Sequence, residues 1–176
     1  MTTEPNAIIE IPSARGLLRR RPEQAEDEAF RFLLFRQSRP AEFAYLPLEP
    51  AALEQLTWFQ FQAQTTGYRT SYPNARFDII ELERTAIGRI VVDRTGDALR
   101  IVDQAIMPPL RGRGFGTAIM QALMDEAGRC GLAVRLNVVV SNDAAIRLYL
   151  RLGFVPVATA PLHIEMEWRV AAAPPG

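Results

Sequence analysis

Arg111-Gly112-Arg113-Gly114-Phe115-Gly116-Thr117 stands between an apolar run patterned like a strand and an apolar run patterned like a helix. Glycine at every second position keeps side chains out of the way, so backbone N–H groups can converge on one point. That point falls at a helix start, where unsatisfied donors and the positive end of the dipole favour an anion. Arg111 and Arg113 add fork-shaped donors that suit phosphate oxygens. The stretch has the make-up of a diphosphate cradle.

A dinucleotide fingerprint would need a third glycine where Thr117 stands and an acid about 20 residues further on. Residues 134–140 contain no carboxylate. A Walker loop would need Gly-Lys-Ser/Thr, a run this chain lacks. The pattern that remains, Arg111-x-x-Gly114-x-Gly116, resembles the R/Q-x-x-G-x-G signature of the GNAT acetyltransferases, which grip the pyrophosphate of acetyl-CoA. Asn142-Asp143-Ala144-Ala145-Ile146-Arg147-Leu148-Tyr149 followed by Leu152-Gly153-Phe154 is similar to that family's second signature. Two signatures in the right order, about 30 residues apart, are far more specific than either alone. The resemblance covers roughly residues 17–169.

The bulk properties agree with a single enzyme-sized domain. At 176 residues the chain can bury a sizeable core. Twenty basic and twenty acidic residues cancel, so no global field draws it to nucleic acid or membrane. Cys130 is alone, which rules out an internal disulfide and suits a reducing compartment. The first residues have acids and prolines where a signal peptide needs an apolar run, and no stretch approaches transmembrane length. The expectation is a cytoplasmic protein with no nucleic-acid or membrane partner, with a homodimer left open.

Residues 1–14 lack periodicity and read as a mobile arm ahead of a domain at 15–170; residues 171–176 read as a disordered tail. A short strand is expected at 17–20. Pro22 is expected to open a helix whose first turns hold Glu23, Glu26, Asp27 and Glu28, with Pro40 as its stop. A second helix is expected from Pro50 to about Thr66, stopped by Gly67, with Leu53, Leu56, Phe59 and Ala63 facing the core. Strands follow at 77–82, 87–92 and 99–107, joined by short antiparallel connections. The helix after the cradle buries Phe115, Ala118, Ile119, Ala122 and Leu123, and Gly131 stops it. Cys130 shares a face with Ile119, Leu123 and Ala127 and is expected to be buried. A strand at 134–140, a helix capped by Ser141 or Asn142, and strands at 154–157 and 162–169 complete the chain.

The resemblance implies an α/β (α+β) fold: a mixed, mostly antiparallel twisted sheet of about seven strands flanked by about four helices. It implies acetyl-CoA as donor and direct transfer of the acetyl group to a primary amine, on a small molecule or peptide, in a ternary complex. The backbone at Ile106 and Met107 would hold the pantetheine arm, residues 111–117 the pyrophosphate, and Asn142 the other side of the arm. Tyr149 would protonate the leaving thiolate, and a tyrosine near its ordinary pKa of about 10 has that proton at neutral pH. In some relatives a strand glutamate is the base; Asn137 occupies that place here and cannot serve. Asp103 is the substitute, read as sharing a face with the apolar Leu99, Ile101 and Ala105, where burial would raise its pKa. Glu81 is a second candidate base. His163 falls on the wet face of its strand, and nothing has metal-ligand spacing. The rival reading is a non-catalytic acyl-CoA-binding or sensor module on the same fold.

Overall fold

The computed structural model describes residues 7–39, 43, 46–94 and 96–170. Eight strands form one sheet in the order β1-β2-β3-β4-β5-β6-β8-β7. They are β1 (Ile9–Ser13), β2 (Gly16–Pro22), β3 (Arg76–Leu82), β4 (Thr85–Asp93), β5 (Ala98–Ile106), β6 (Ala133–Val139), β7 (Val155–Thr159) and β8 (His163–Trp168). All neighbours run antiparallel except β5 and β6, which run parallel with a helix crossing between them. The helices are α1 (Glu28–Gln37), α2 (Pro50–Ser71), α3 (Phe115–Cys130) and α4 (Asp143–Arg151).

Period-two alternation assigns the two faces of the sheet. Ile90, Val92, Leu99 and Ile101 turn to one side, in a core with Ile119, Met120, Leu123 and Met124 of α3. Arg89 and Val91, the alternate residues of β4, turn to the other side, where α1 and α2 lie. These two helices meet through aromatic contacts of Phe32 with Trp58 and Phe61, at centroid distances of 4.9 and 5.5 Å. Gly131 ends α3 in the left-handed conformation, φ 66°, and Leu132 N–H closes back on Ala127 O at 2.9 Å.

Several expectations are corrected. Residues 9–13, assigned to the arm, are β1: Ile11 pairs with Leu18 and is buried in the α3 core, which adds an eighth strand. Residues 1–6, Pro40 and the tail at 171–176 lie outside the described residues. Pro22 ends β2 instead of opening a helix; a single 3-10 turn at Ala25–Asp27 precedes α1. The acids there answer arginines more than the helix dipole, since both Asp27 oxygens accept from Arg21 at 2.7 Å. The second helix passes through Gly67 to Ser71. Glycine costs a helix about 1 kcal/mol but stops it only when it turns left-handed, and Gly67 does not. Its inner face holds Thr57 and Phe61, while Phe59, read as core, is 77 % exposed. Cys130, at the last turn of α3, is exposed, not buried.

The arginine run at 19–21 belongs to the interior of the sheet. Arg20 lies opposite Ile80 on the α3 side, fully enclosed, and donates to Asp78 at 2.9 Å. Arg76 Nε donates to the same carboxylate at 2.7 Å. Removing one partner of a buried pair strands the other charge. Asp78→Asn is therefore expected to cost about 3–5 kcal/mol, lowering the thermal midpoint by on the order of 10 °C for a chain of this size, as read by thermal unfolding.

Candidate active site

The site begins where β5 and β6 part. Their pairing runs from Ala98↔Ala133 to Ile101↔Leu136 and stops. At the same place the register of β5 against β4 slips: Val92 faces Ile101, and Val91 faces Asp103. Val102 is the extra residue of a β-bulge, which bends its strand and increases the local twist. Residues 103–106 thus swing away from β6 and leave an open wedge.

The bulge also reverses which side chains face where. Ile101 lies opposite Val92 in the α3 core, but Asp103 lies opposite Val91. Asp103 therefore does not share a face with Leu99 and Ile101 as its spacing suggests. It turns toward Arg89, α1 and α2, into a cleft of about 1020 Å³. One wall holds Ile106, Gly112, Gly114, Phe115, Gly116 and Thr117; the other holds Asn142, Leu148 and Tyr149. Arg31, Phe61, Arg89 and Asp103 line the far end.

At the cradle, Gly112 and Gly114 have φ of 71° and 88°. A Cβ would meet nothing within 4 Å at either position, so glycine is needed there for backbone conformation and not for room. Gly114 is the N-cap of α3, and Ala118 N–H is the donor that returns to its carbonyl, at 3.0 Å. The N–H groups of Phe115, Gly116 and Thr117 thus begin the helix without intrahelical partners, and no side chain caps it. Arg111 braces this loop: Nε donates to Ile106 O at 2.9 Å and Nη2 to Ser38 Oγ at 2.8 Å. Arg113 and Met107 are not among the residues lining the cleft. Met107 N–H is committed to Ile87 O at 2.9 Å, extending the β4 pairing.

Asn142 caps α4 by accepting from Ala145 N–H at 3.2 Å, and its residue also borders the cleft. The Tyr149 ring packs on Phe154 with centroids 5.7 Å apart. Burial, aided by the negative charge of Asp103, pushes the Tyr149 hydroxyl up to about 12. Asp103 is held above the usual carboxylate range because burial outweighs the attraction of Arg89, whose Nη1 is 3.5 Å away. Glu81 is spoken for, accepting from Arg21 Nε at 2.6 Å. His163 and Asn137 are exposed, and Asn137 lies opposite Glu165 of β8.

Sequence reasoning passed over Glu23, Arg31 and Arg89, which form the floor of the far end. Glu23 was assigned to a helix start, and Arg31 is one of many arginines. Arg89 did leave a signal: it is the lone charge in the apolar run at 87–92.

The sequence profile of the Acetyltransferase (GNAT) family matches residues 23–154. An uncharacterized N-acetyltransferase of Methanocaldococcus jannaschii is 30 % identical over 102 residues, covering 56 % of this chain and 64 % of the relative. An L-methionine sulfoximine/L-methionine sulfone acetyltransferase of Salmonella typhimurium is 40 % identical over 57 residues, covering 32 % of this chain and 33 % of the relative. The chain thus spans less than two thirds of the length of these curated relatives. The crystal structure of a PaiA N-acetyltransferase from Thermoplasma acidophilum in complex with coenzyme A superposes with a TM-score of 0.66 at 18 % identity, covering 87 % of this chain and 99 % of that one. That likeness bears out the mixed sheet flanked by four helices. With a profile match across most of the length, the chain belongs to the GNAT acetyltransferase family.

Proposed function

We propose that this protein is an N-acetyltransferase that passes the acetyl group of acetyl-CoA directly to a primary amine in a ternary complex. The observation that carries the reading is the run of partnerless N–H groups at Phe115, Gly116 and Thr117, opening into the same cleft as Asp103 and Tyr149. An anion-binding helix end and an acid–base pair in one cleft fit a diphosphate-bearing acyl donor.

In this reading the backbone at 115–117 holds the pyrophosphate, with Arg111 bracing the loop. The edge of β5 past Ile101, unpaired with β6, holds the pantetheine arm. Asp103 takes a proton from the incoming ammonium, the amine nitrogen bonds to the thioester carbonyl carbon, and the C–S bond breaks. Tyr149 then gives its hydroxyl proton to the departing thiolate, and the second proton of the attacking nitrogen, released as the amide forms, restores the phenol. The two groups suit these roles because their surroundings keep the phenol protonated and lift the carboxylate toward neutral pH. Most of the acceleration comes from holding thioester and amine together. A covalent route through Cys130 is disfavoured, because that exposed thiol ends a 16-residue helix, about 24 Å along the axis from the cradle.

The lone cysteine fits a cytoplasmic location, and among the described residues no helix is long and apolar enough to cross a membrane. Calorimetry with CoA tests the donor site, and the absence of binding at millimolar CoA would overturn the reading. Thiol release across a panel of amines tests transfer, and intersecting double-reciprocal lines test the ternary complex. Binding of CoA without turnover would select the sensor alternative.

Tyr149→Phe is expected to lower turnover roughly ten- to a thousandfold, with CoA affinity nearly unchanged. Equal losses of binding and turnover would mark the ring as a packing residue. For Asp103→Asn the expected loss of turnover is about 10²- to 10⁴-fold. Stability moves the opposite way. Because the native carboxyl is raised above its ordinary 3.8, its contribution is complete below that pH and is lost as pH rises through the native value. The asparagine variant should melt above wild type at neutral pH, with the gap closing in acid.

A further inference from the structure

We propose that the acceptor is a small amino acid, whose carboxylate is bound by Arg31 and Arg89 while its amine faces Asp103; this rests on the acetyl-transfer reading above. The far end of the cleft is built on Glu23, which follows β2 and is almost wholly enclosed. Three arginines from three elements converge on it: Arg31 of α1 at 3.1 Å, Arg69 of α2 at 2.6 Å and Arg89 of β4 at 3.0 Å. The next carboxylate, Asp103, reaches Arg89 at 3.5 Å. In direct contact three cations therefore meet two carboxylates, while Asp27 and Glu28 act on Arg31 only through their charge.

The surplus is fixed in place. Arg31 and Arg89 are only 7 % and 4 % exposed, and guanidinium groups do not give up their protons in proteins. Their planes are held by rings: Arg31 lies 5.6 Å from the centroid of Phe61, and Arg69 and Arg89 lie 4.6 and 5.5 Å from that of Phe77. Nε of Arg31 and Nη2 of Arg89 are nevertheless buried with no hydrogen-bond partner, and Nη1 of Arg31 meets Glu23 only as an ion pair at 3.1 Å. Buried donors of this kind are costly to leave unmade, most of all on a charged group. Both residues line the cleft, so a ligand entering it can supply the missing acceptor oxygens. A carboxylate fits the guanidinium fork and brings acceptor oxygens with a charge opposite to that of the two arginines. Arg89 touches Asp103 as well, which sets the anion beside the amine. Both groups then belong to one short molecule, and a long peptide with its carboxylate far away does not meet the requirement.

The test compares each of the twenty amino acids with its carboxamide in thiol release from acetyl-CoA. In parallel, calorimetry compares N-acetyl amino acids with their N-acetyl amides on the CoA-loaded protein. The preferred amino acid should exceed its amide at least tenfold in kcat/KM, and its acetylated product should bind at least tenfold more tightly than the matching amide. Arg31→Gln should erase that discrimination while CoA affinity is retained. CoA binding with amides as good as the acids, in either assay, overturns the anion site alone. Failure to bind CoA overturns the acetyl-transfer reading and this inference with it. Should Arg31→Gln not fold, the acid-against-amide comparison on wild type still decides.

Discussion

One inserted residue governs the working half of this molecule. Val102 has no partner of its own in the register between β4 and β5, and the parallel ladder to β6 ends at the residue before it. A bulge bends and twists its strand, so the same insertion opens the wedge and turns the next side chain to the opposite face. Without it, residue 103 would stand with Ile101 under α3, on the face opposite Arg89. The unpaired edge of β5 and the aspect of Asp103 are two results of one irregularity.

Charge in the interior follows a related logic on the two faces. On the α3 side Arg20 and Asp78 are enclosed, with Arg76 on the same carboxylate, and only Arg20 Nε is left without a partner. Such a pair adds little stability over apolar residues of equal volume but is costly to break; it fixes which residues of β2 and β3 face each other. On the α1–α2 side the balance is incomplete. Glu23 accepts more cations than it can neutralise, and Arg31 Nε and Arg89 Nη2 stay unmet. Buried polar groups in proteins are nearly always satisfied, so an unsatisfied cluster lining a cleft is where a ligand is to be sought.

The cradle was legible because its physics is local. Alternate glycines, a helix start and an apolar run on either side lie within a few residues, and the left-handed φ at Gly112 and Gly114 is what those glycines are for. The order of strands was legible from period-two alternation and short connections. The bulge was not, since an alternation pattern has no mark for a single extra residue, and the error fell on Asp103. β1 escaped because five residues with one buried isoleucine show too little periodicity to stand out from a flexible arm. α2 was cut short at Gly67 because glycine's cost to a helix was read as a stop. Glu23 was misread for a deeper reason: acids after a proline look alike whether they serve a helix dipole or a tertiary ion pair, and its three arginines lie 8, 46 and 66 residues away.

Arg89 joins the two halves of the chemistry. It is within reach of both Glu23 and Asp103, and its charge opposes the burial that raises the Asp103 carboxyl. An acceptor carboxylate seated on Arg89 would offset part of that charge. The pull that keeps Asp103 ionised would weaken, and its affinity for a proton would rise at the moment an ammonium group lies beside it. On the proposed reading, Arg89 holds Asp103 closer to the ionised form in the empty cleft, and a bound acceptor carboxylate would loosen that hold as the proton arrives. Tyr149 completes the arrangement, since a protonated Asp103 no longer opposes ionisation of the phenol by its charge. On the proposed reading, proton uptake at one end of the cleft would thus ease proton release at the other, in the order that amine attack and thiolate departure require.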